Sequence, residues 1–318
     1  MSAAVSFIDF KAHESPAWRN EDVPIPSVSK MVNAIVEFQS RWEHWKKSVD
    51  EKIVDEVLNE TLVKFIYCIH NGEEHGCGTK EEIEWCLKQR DTPERPLSDQ
   101  ERETINLRNA YTFLLDEVKK VEDSTEVEKV HGLLSLDLVK NAHELILYDI
   151  KLSVSTKAGQ LSTNERYTDY KGERYYYQNP EDMGKAFQDL LDNHNDLIKY
   201  YVKEEEDPKA RVYNMFKICS WLLFEFLDLH PFSDGNGRLC RLLCSYVLSS
   251  MTPFPTPVYN VWSTSKKDDY IDALVATRES DTRHPTSLTT MIIECNYLGW
   301  KEFFNILEKS VEKDGAVQ

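Results

Sequence analysis

Twelve residues, His230 to Arg241, read H-P-F-S-D-G-N-G-R-L-C-R and bring a base, a carboxylate, a glycine-framed turn and two arginines together. Gly235, Asn236 and Gly237 let the backbone turn so that successive N–H groups face one concavity. Such a nest, opening onto a helix N-terminus, receives phosphate oxygens. Arg238 and Arg241 are three apart and share a helix face, from which their permanently charged forks reach further phosphate oxygens. Asp234, directly before the nest, offers a hard oxygen ligand for Mg2+ beside a polyphosphate. His230 is the one side chain of the stretch that exchanges a proton near neutral pH. Together they describe a nucleotide held by its phosphates, a metal, and a base for an incoming hydroxyl. In the competing reading His230 and Asp234 cap helix ends and the arginines make surface ion pairs.

The flanks must position this loop. Residues 212–229 (V-Y-N-M-F-K-I-C-S-W-L-L-F-E-F-L-D-L) and 239–250 (L-C-R-L-L-C-S-Y-V-L-S-S) are apolar nearly all round, as buried central helices are. Between them one Pro and two Gly disfavour continuous helix. A polar loop clamped by two rigid buried elements suits a preorganised site.

The stretch resembles the signature of the Fic family, H-x-F-x-(D/E)-G-N-G-R-x-x-R, at each of its eight specified positions in twelve. The resemblance spans about 100–305 and implies an all-α fold: a Fic-type helical core with a β-hairpin flap, joined to an N-terminal helical region over 1–98 and followed by a tail over 306–318. It also implies a transferase that moves AMP from ATP to a protein Ser, Thr or Tyr hydroxyl. Carried over by position, His230 is the general base, Phe232 anchors the loop in the core and Asp234 binds Mg2+. Asn236 with the amides of Gly235 and Gly237 holds the α-phosphate region, and Arg238 and Arg241 hold the β- and γ-phosphates. Tyr270, on a downstream helix, borders the adenine, although Arg278 and Ser280-Asp281 stand where relatives often carry Asn and Gly-Asp. Relatives that move UMP, phosphate or phosphocholine leave those groups open as alternatives, as does a nucleotide sensor that transfers nothing.

Composition narrows the partners. A net charge of −17 disfavours nucleic acid and anionic membrane surfaces, so nucleotide binding depends on a local positive site. The seven cysteines are odd in number and without a C-x-x-C pair, which fits a reducing compartment. Cys68, His70, His75 and Cys77 lack the usual zinc spacing. No signal peptide or 18-residue apolar run is present, and the expectation is a soluble cytoplasmic protein. Its oligomeric state is open, a homodimer included.

In chain order, prolines mark residues 1–27 as an extended arm. Met31, Ile35, Phe38, Trp42 and Trp45 recur at helical spacing over 28–47 and read as core. A second helix over 50–69 stops at His70-Asn71-Gly72, a short one follows over 80–89, and Asp91 to Gln100 is the candidate boundary. Helices follow over 99–121 and from Ser135, where His143 reads as structural. Residues 157–178 break the pattern around a Lys171-Gly172 turn and correspond to the flap, whose edge offers an extended target segment strand addition. Asn179-Pro180 marks the next helix start, and further helices cover 265–278 and 286–312. Many Fic proteins carry an inhibitory (S/T)-x-x-x-E-(G/N) motif whose Glu pairs with the second signature arginine. No such Glu is found here. His70 stands at the nearest N-terminal equivalent and Asp314 at a weaker C-terminal one, so the expectation is a protein not held off by an N-terminal glutamate.

Overall fold

Two helices, α7 (Pro208–Leu229) and α8 (Asn236–Leu248), form the centre of the computed structural model, which describes residues 7–19, 24–88, 95–123, 130–262 and 268–315. Asp207 caps α7 by accepting from the Lys209 and Ala210 N–H groups, with Pro208 at the first helical position. The helix therefore begins four residues before its apolar run. It buries Phe216, Trp221, Phe224 and Phe226, and ends where His230 turns left-handed at φ 50°. α8 starts directly after Gly235, itself left-handed at φ 76°. Only six residues separate the two helices, so the loop between them is fixed at both ends by buried structure.

The remaining elements wrap this pair. α1 (Val28–Trp45) lies along α10 (Thr286–Gly315), where Phe38, Trp42 and Trp45 meet Trp300, Phe303 and Phe304 at ring distances of 5.1–6.2 Å. The aromatic stripe is core, as its spacing predicts. α2 (Glu51–Glu73), α4 (Asp99–Asp123) and α5 (Leu136–Ile146) pack on α8, with α3 (Lys80–Lys88) against α2 and α4. α6 (Met183–Ile198) covers α7 and continues into a π-turn over Lys199–Lys203, and α9 (Asp268–Glu279) rests on α10. Residues 7–19 lie over the body without a long helix: Phe7 stacks on Trp221 at 5.2 Å, and Trp18 donates to Glu294 at 3.0 Å. Residues 1–6, 20–23, 89–94 and 263–267 of the predicted arm, short helix, boundary and downstream helix lie outside the described residues.

β1 (Tyr167–Tyr170) and β2 (Glu173–Tyr176) pair antiparallel, Tyr167 opposite Tyr176 and Tyr170 opposite Glu173. Lys171 and Gly172 make the two-residue turn with φ values of 48° and 87°, the doubly left-handed geometry that matches strand twist. The fold is thus helical with one hairpin, the architecture expected from sequence.

Two helix boundaries differ from the sequence reading, and both bear on the site. Asn179-Pro180 does not start a helix: Gln178 and Asn179 are held by Arg166 and Asp228, and α6 begins at Met183 behind its cap Asp182. Asn71-Gly72 does not stop one: α2 continues through Glu73 and closes on Glu74, left-handed at φ 58°. A single Gly in a last turn costs about 1 kcal/mol relative to Ala, too little to end a helix packed on its neighbours. Just beyond, Gly76 (φ 67°) lies against the His70 ring, where a Cβ would fall 2.3–2.5 Å from three ring atoms. Gly76→Ala is therefore expected to destabilise the protein by roughly 1–3 kcal/mol through overpacking alone. An unchanged urea midpoint would remove this contact from the account.

Candidate active site

The loop from His230 to Gly235 is held mostly by its own backbone. Asn236 accepts from the Phe232 N–H at 3.0 Å and donates back to the Phe232 carbonyl at 2.8 Å. Its side chain is buried and closes the loop, while its backbone N–H lies in the first turn of α8. Phe232 is fully buried, as anticipated, and stacks on His143 at 3.9 Å. His143 accepts from the Gly159 N–H at Nδ1 and donates from Nε2 to the Asp234 carbonyl, each at 2.9 Å. Burial holds its pKa down at about 4, so it stays neutral as a structural histidine should.

His230 is half-buried at the C-terminus of α7. Its Nδ1 lies 3.4 Å from the Leu227 carbonyl, which can only accept, so Nδ1 carries the hydrogen and Nε2 keeps its lone pair. Desolvation lowers its pKa to about 4, with Arg166 contributing. The ring is therefore a neutral proton acceptor across the physiological range. Its face is covered by Tyr177, stacked at 3.8 Å and 9°.

The first turn of α8 offers backbone N–H groups that have no partner within the helix, and hence a positive end. Glu73 occupies this place. A Cβ on Gly237 would lie 2.6–3.0 Å from three atoms of the Glu73 carboxyl group, so any larger residue here would push the carboxylate aside. Arg241 donates to Glu73 from beneath. Burial opposes charge on Arg241, but the Glu73 carboxylate outweighs it and the pKa is raised. Its guanidinium also lies 4.6 Å over the ring of Tyr270, whose hydroxyl finds no partner among the described residues. Tyr270 lines the cavity, and one face of its ring supports Arg241.

The absence of an N-terminal glutamate at the second arginine is thus corrected. His70 sits one turn too early: it bonds Thr104 at 3.1 Å, a neutral buried histidine with its pKa lowered by desolvation to about 4. Glu73, on the extra turn, reaches Arg241. Nearby, His75 bonds Glu103 and Cys77 lies beside Cys86 at 3.6 Å. α10 runs through Gly315, but the side chain of Asp314 lies outside the described residues.

Arg238 is equally buried and points elsewhere, 3.5 Å from Asp234 and 3.8 Å from Glu103. Glu103 is fixed by His75 at 3.0 Å and the Gly76 N–H at 2.7 Å, so the α2–α3 loop sets this arginine. Asp234 is 46% exposed and accepts from the Gly235 N–H at 2.6 Å. Among the described residues no three His, Cys, Asp or Glu converge as a metal site. A lone accessible carboxylate fits Mg2+ that arrives with phosphate oxygens and water as its other ligands.

Asp228 and Arg166, which sequence reading passed over, attach the flap. Asp228 is 2% exposed and accepts from Tyr175 (3.0 Å), Gln178 (2.8 Å), Arg278 (2.9 Å) and Arg283 (2.7 Å). Burial alone would raise its pKa, but the Arg283, Gln178 and Arg278 bonds outweigh it and the value is lowered. Arg278, flagged as a departure, thus serves the scaffold and stacks on Tyr175 at 3.6 Å. Arg166 donates to the Gln178 and Leu229 carbonyls, joining flap to α7. At the tip, Tyr170 and Lys171 both bond Asp272 of α9. Between flap, α9 and α8 lies a cavity of about 400 Å³, lined by Glu73, His230, Gly237, Tyr177, Tyr270 and Arg278 among others.

Removing Asp228 leaves two arginines facing a buried void, so Asp228→Ala is expected to cost about 3–5 kcal/mol at pH 7. Because its folded pKa is depressed, this stabilisation is complete above the ordinary carboxylate value of about 3.9 and is lost as pH falls through the lower folded value. Urea titrations should show the gap between wild type and variant shrinking at pH 3. A gap of equal size at both pH values would contradict the assignment.

Residues 133–248 match the model of the Fic/DOC family, a span that ends with α8 and includes flap and loop. A Fido domain-containing protein of Dictyostelium discoideum is 31% identical over 142 residues, covering 44% of this chain and 88% of that protein. Among solved structures, a segment of Fic-1 from C. elegans superposes with a TM-score of 0.65 at 17% identity, over 89% of this chain and 73% of that one. A Fic domain containing signaling protein from Bacteroides thetaiotaomicron does so at 0.63 and 16%, over 88% and 97%. These two share the fold. No helix among the described residues is long and apolar enough to cross a membrane. The signature loop, its flap and the sequence match to the Dictyostelium protein together make this chain a member of the Fic/DOC family, whose members transfer nucleotide or other phosphate-containing groups to proteins.

Proposed function

We propose that this protein is an adenylyltransferase that moves AMP from ATP to a Ser, Thr or Tyr hydroxyl of a protein target. The observation that carries the reading is the pairing of a neutral His230, its Nε2 uncommitted, with an anion site on the α8 N-terminus that is already filled by a carboxylate. Acidic oxygens are what this site accepts. The backbone N–H groups of Asn236, Gly237 and Arg238, with Arg241 once released from Glu73, hold phosphate oxygens of ATP. Nε2 of His230 takes the hydroxyl proton as the target oxygen bonds to the α-phosphorus, and the bond to the β-phosphate oxygen breaks to release pyrophosphate. Mg2+ held by Asp234 and the phosphates would offset the charge of that leaving group. Orientation and charge stabilisation supply most of the acceleration, as in phosphoryl transfer generally.

The exposed strand edges of the flap, around residues 157–178, receive the target backbone by strand addition. Glu73 is the resident inhibitor: it holds Arg241 and covers Gly237, so ATP must displace it. UMP or phosphate transfer would use the same base with a different bound donor, and remains the second reading.

ATP labelled separately at the α and γ positions distinguishes the readings. Label on protein from the α position is expected; label from γ alone would indicate phosphate transfer, and neither label would indicate binding without transfer. His230→Ala should lower the rate by about 10²–10⁴-fold with nucleotide affinity retained. A variant with wild-type transfer would dismiss His230 as the base. Glu73→Gly should raise the rate tenfold or more, the factor that about 1.4 kcal/mol of competing interaction supplies. An unchanged rate would show that Glu73 does not restrain the enzyme.

A further inference from the structure

The tether on the His230 ring is too weak to orient it. Its one hydrogen bond among the described residues, Nδ1 to the Leu227 carbonyl, is 3.4 Å long, near the limit at which such a contact counts. A histidine χ2 is broad, so a contact of this kind leaves the imidazole free to rock. What fixes its plane is the Tyr177 ring, face to face at 3.8 Å and 9°. Tyr177 is in turn held on every side. Its N–H donates to the Arg166 carbonyl at 3.0 Å and extends the hairpin by one rung. Its ring meets Tyr175 edge-on at 5.4 Å. On either side of it, Tyr175 and Gln178 are pinned to Asp228. The flap therefore ends in an aromatic plate pressed on the base.

We propose that Tyr177 is the positioning residue of His230, and that it makes the base ready only while the flap is seated on α7 and α9. The proposal rests on the reading of His230 as the base. Lifting the flap to admit or release a protein segment would withdraw the plate, and the imidazole would lose its orientation until the hairpin returned. Transfer would then be coupled to occupancy of the flap by residues that never touch nucleotide. Tyr177 acts through its ring face rather than its hydroxyl.

The test compares Tyr177→Ala and Tyr177→Phe in the full chain, with two readouts. In transfer assays Tyr177→Ala should lower kcat about 10²-fold, the loss expected when a reacting group is misplaced by about 1 Å, with KM for ATP unchanged. Tyr177→Phe keeps the ring and should restore kcat. In NMR spectra of histidine-labelled protein, the ring protons of His230, assigned with a His230→Asn variant, should be displaced by the tyrosine ring current. The displacement should persist in Tyr177→Phe and vanish in Tyr177→Ala. Unchanged resonances in Tyr177→Ala, or full kcat with the ring removed, would overturn the proposal. If wild type transfers no group from any donor, the base reading fails and the catalytic half of the proposal fails with it; the resonances still decide whether Tyr177 orders the ring.

Discussion

The pairing of Glu73 with Arg241 governs the arrangement of this site. A buried guanidinium needs a full anionic partner, since an unpaired charge at that depth costs several kcal/mol. The helix N-terminus above it favours the same sign of charge. One carboxylate meets both demands, and it comes from α2, 168 residues away in sequence. Three features follow from that choice. Glycine at position 237 leaves the carboxylate in place, because a Cβ there would displace it. Tyr270 must lie flat beneath the arginine. The N-terminal helices must dock on α8, although the family signature itself lies wholly elsewhere.

A second cluster fixes the opposite wall. Asp228 gathers one bond each from two flap residues and two arginines, and its four partners satisfy a carboxylate that burial would otherwise neutralise. With Asp272 at the hairpin tip, it keeps a two-stranded sheet in place that alone would be marginal in water. His230 stands between the two clusters. One residue separates Asp228 from His230, so the network that seats the flap shares a helix end with the group that would accept the proton.

Much of this was legible from local sequence. The loop chemistry, the two buried helices, the hairpin turn at Lys171-Gly172 and the structural role of His143 each follow from neighbours within a few residues. The partners were not legible. Glu73, Glu103, Asp228 and Arg166 are ordinary charged residues, and their roles come from elements brought close only by folding. For Glu73 there was also a positive misdirection, because Asn71-Gly72 has the form of a helix stop and ended α2 one turn too soon. The carboxylates beside Arg238 and Arg241 were hidden for a related reason. Three residues apart on a helix the two arginines share a face, yet that face is buried, and each finds its own carboxylate. The part Asn236 plays in closing the tight loop through its side chain was likewise not legible, since it depends on the folded turn.

The central claim is that a carboxylate and a polyphosphate compete for one site. The most direct measurement is a double-mutant cycle on the affinity of a non-hydrolysable ATP analogue, read by calorimetry with Mg2+ present, for wild type, Glu73→Gln, Arg241→Ala and the double variant. Competition predicts that Glu73→Gln tightens binding about tenfold or more in the wild-type background, and that the gain largely disappears when Arg241 is absent. Equal affinity in wild type and Glu73→Gln, or an equal gain with and without Arg241, would contradict it.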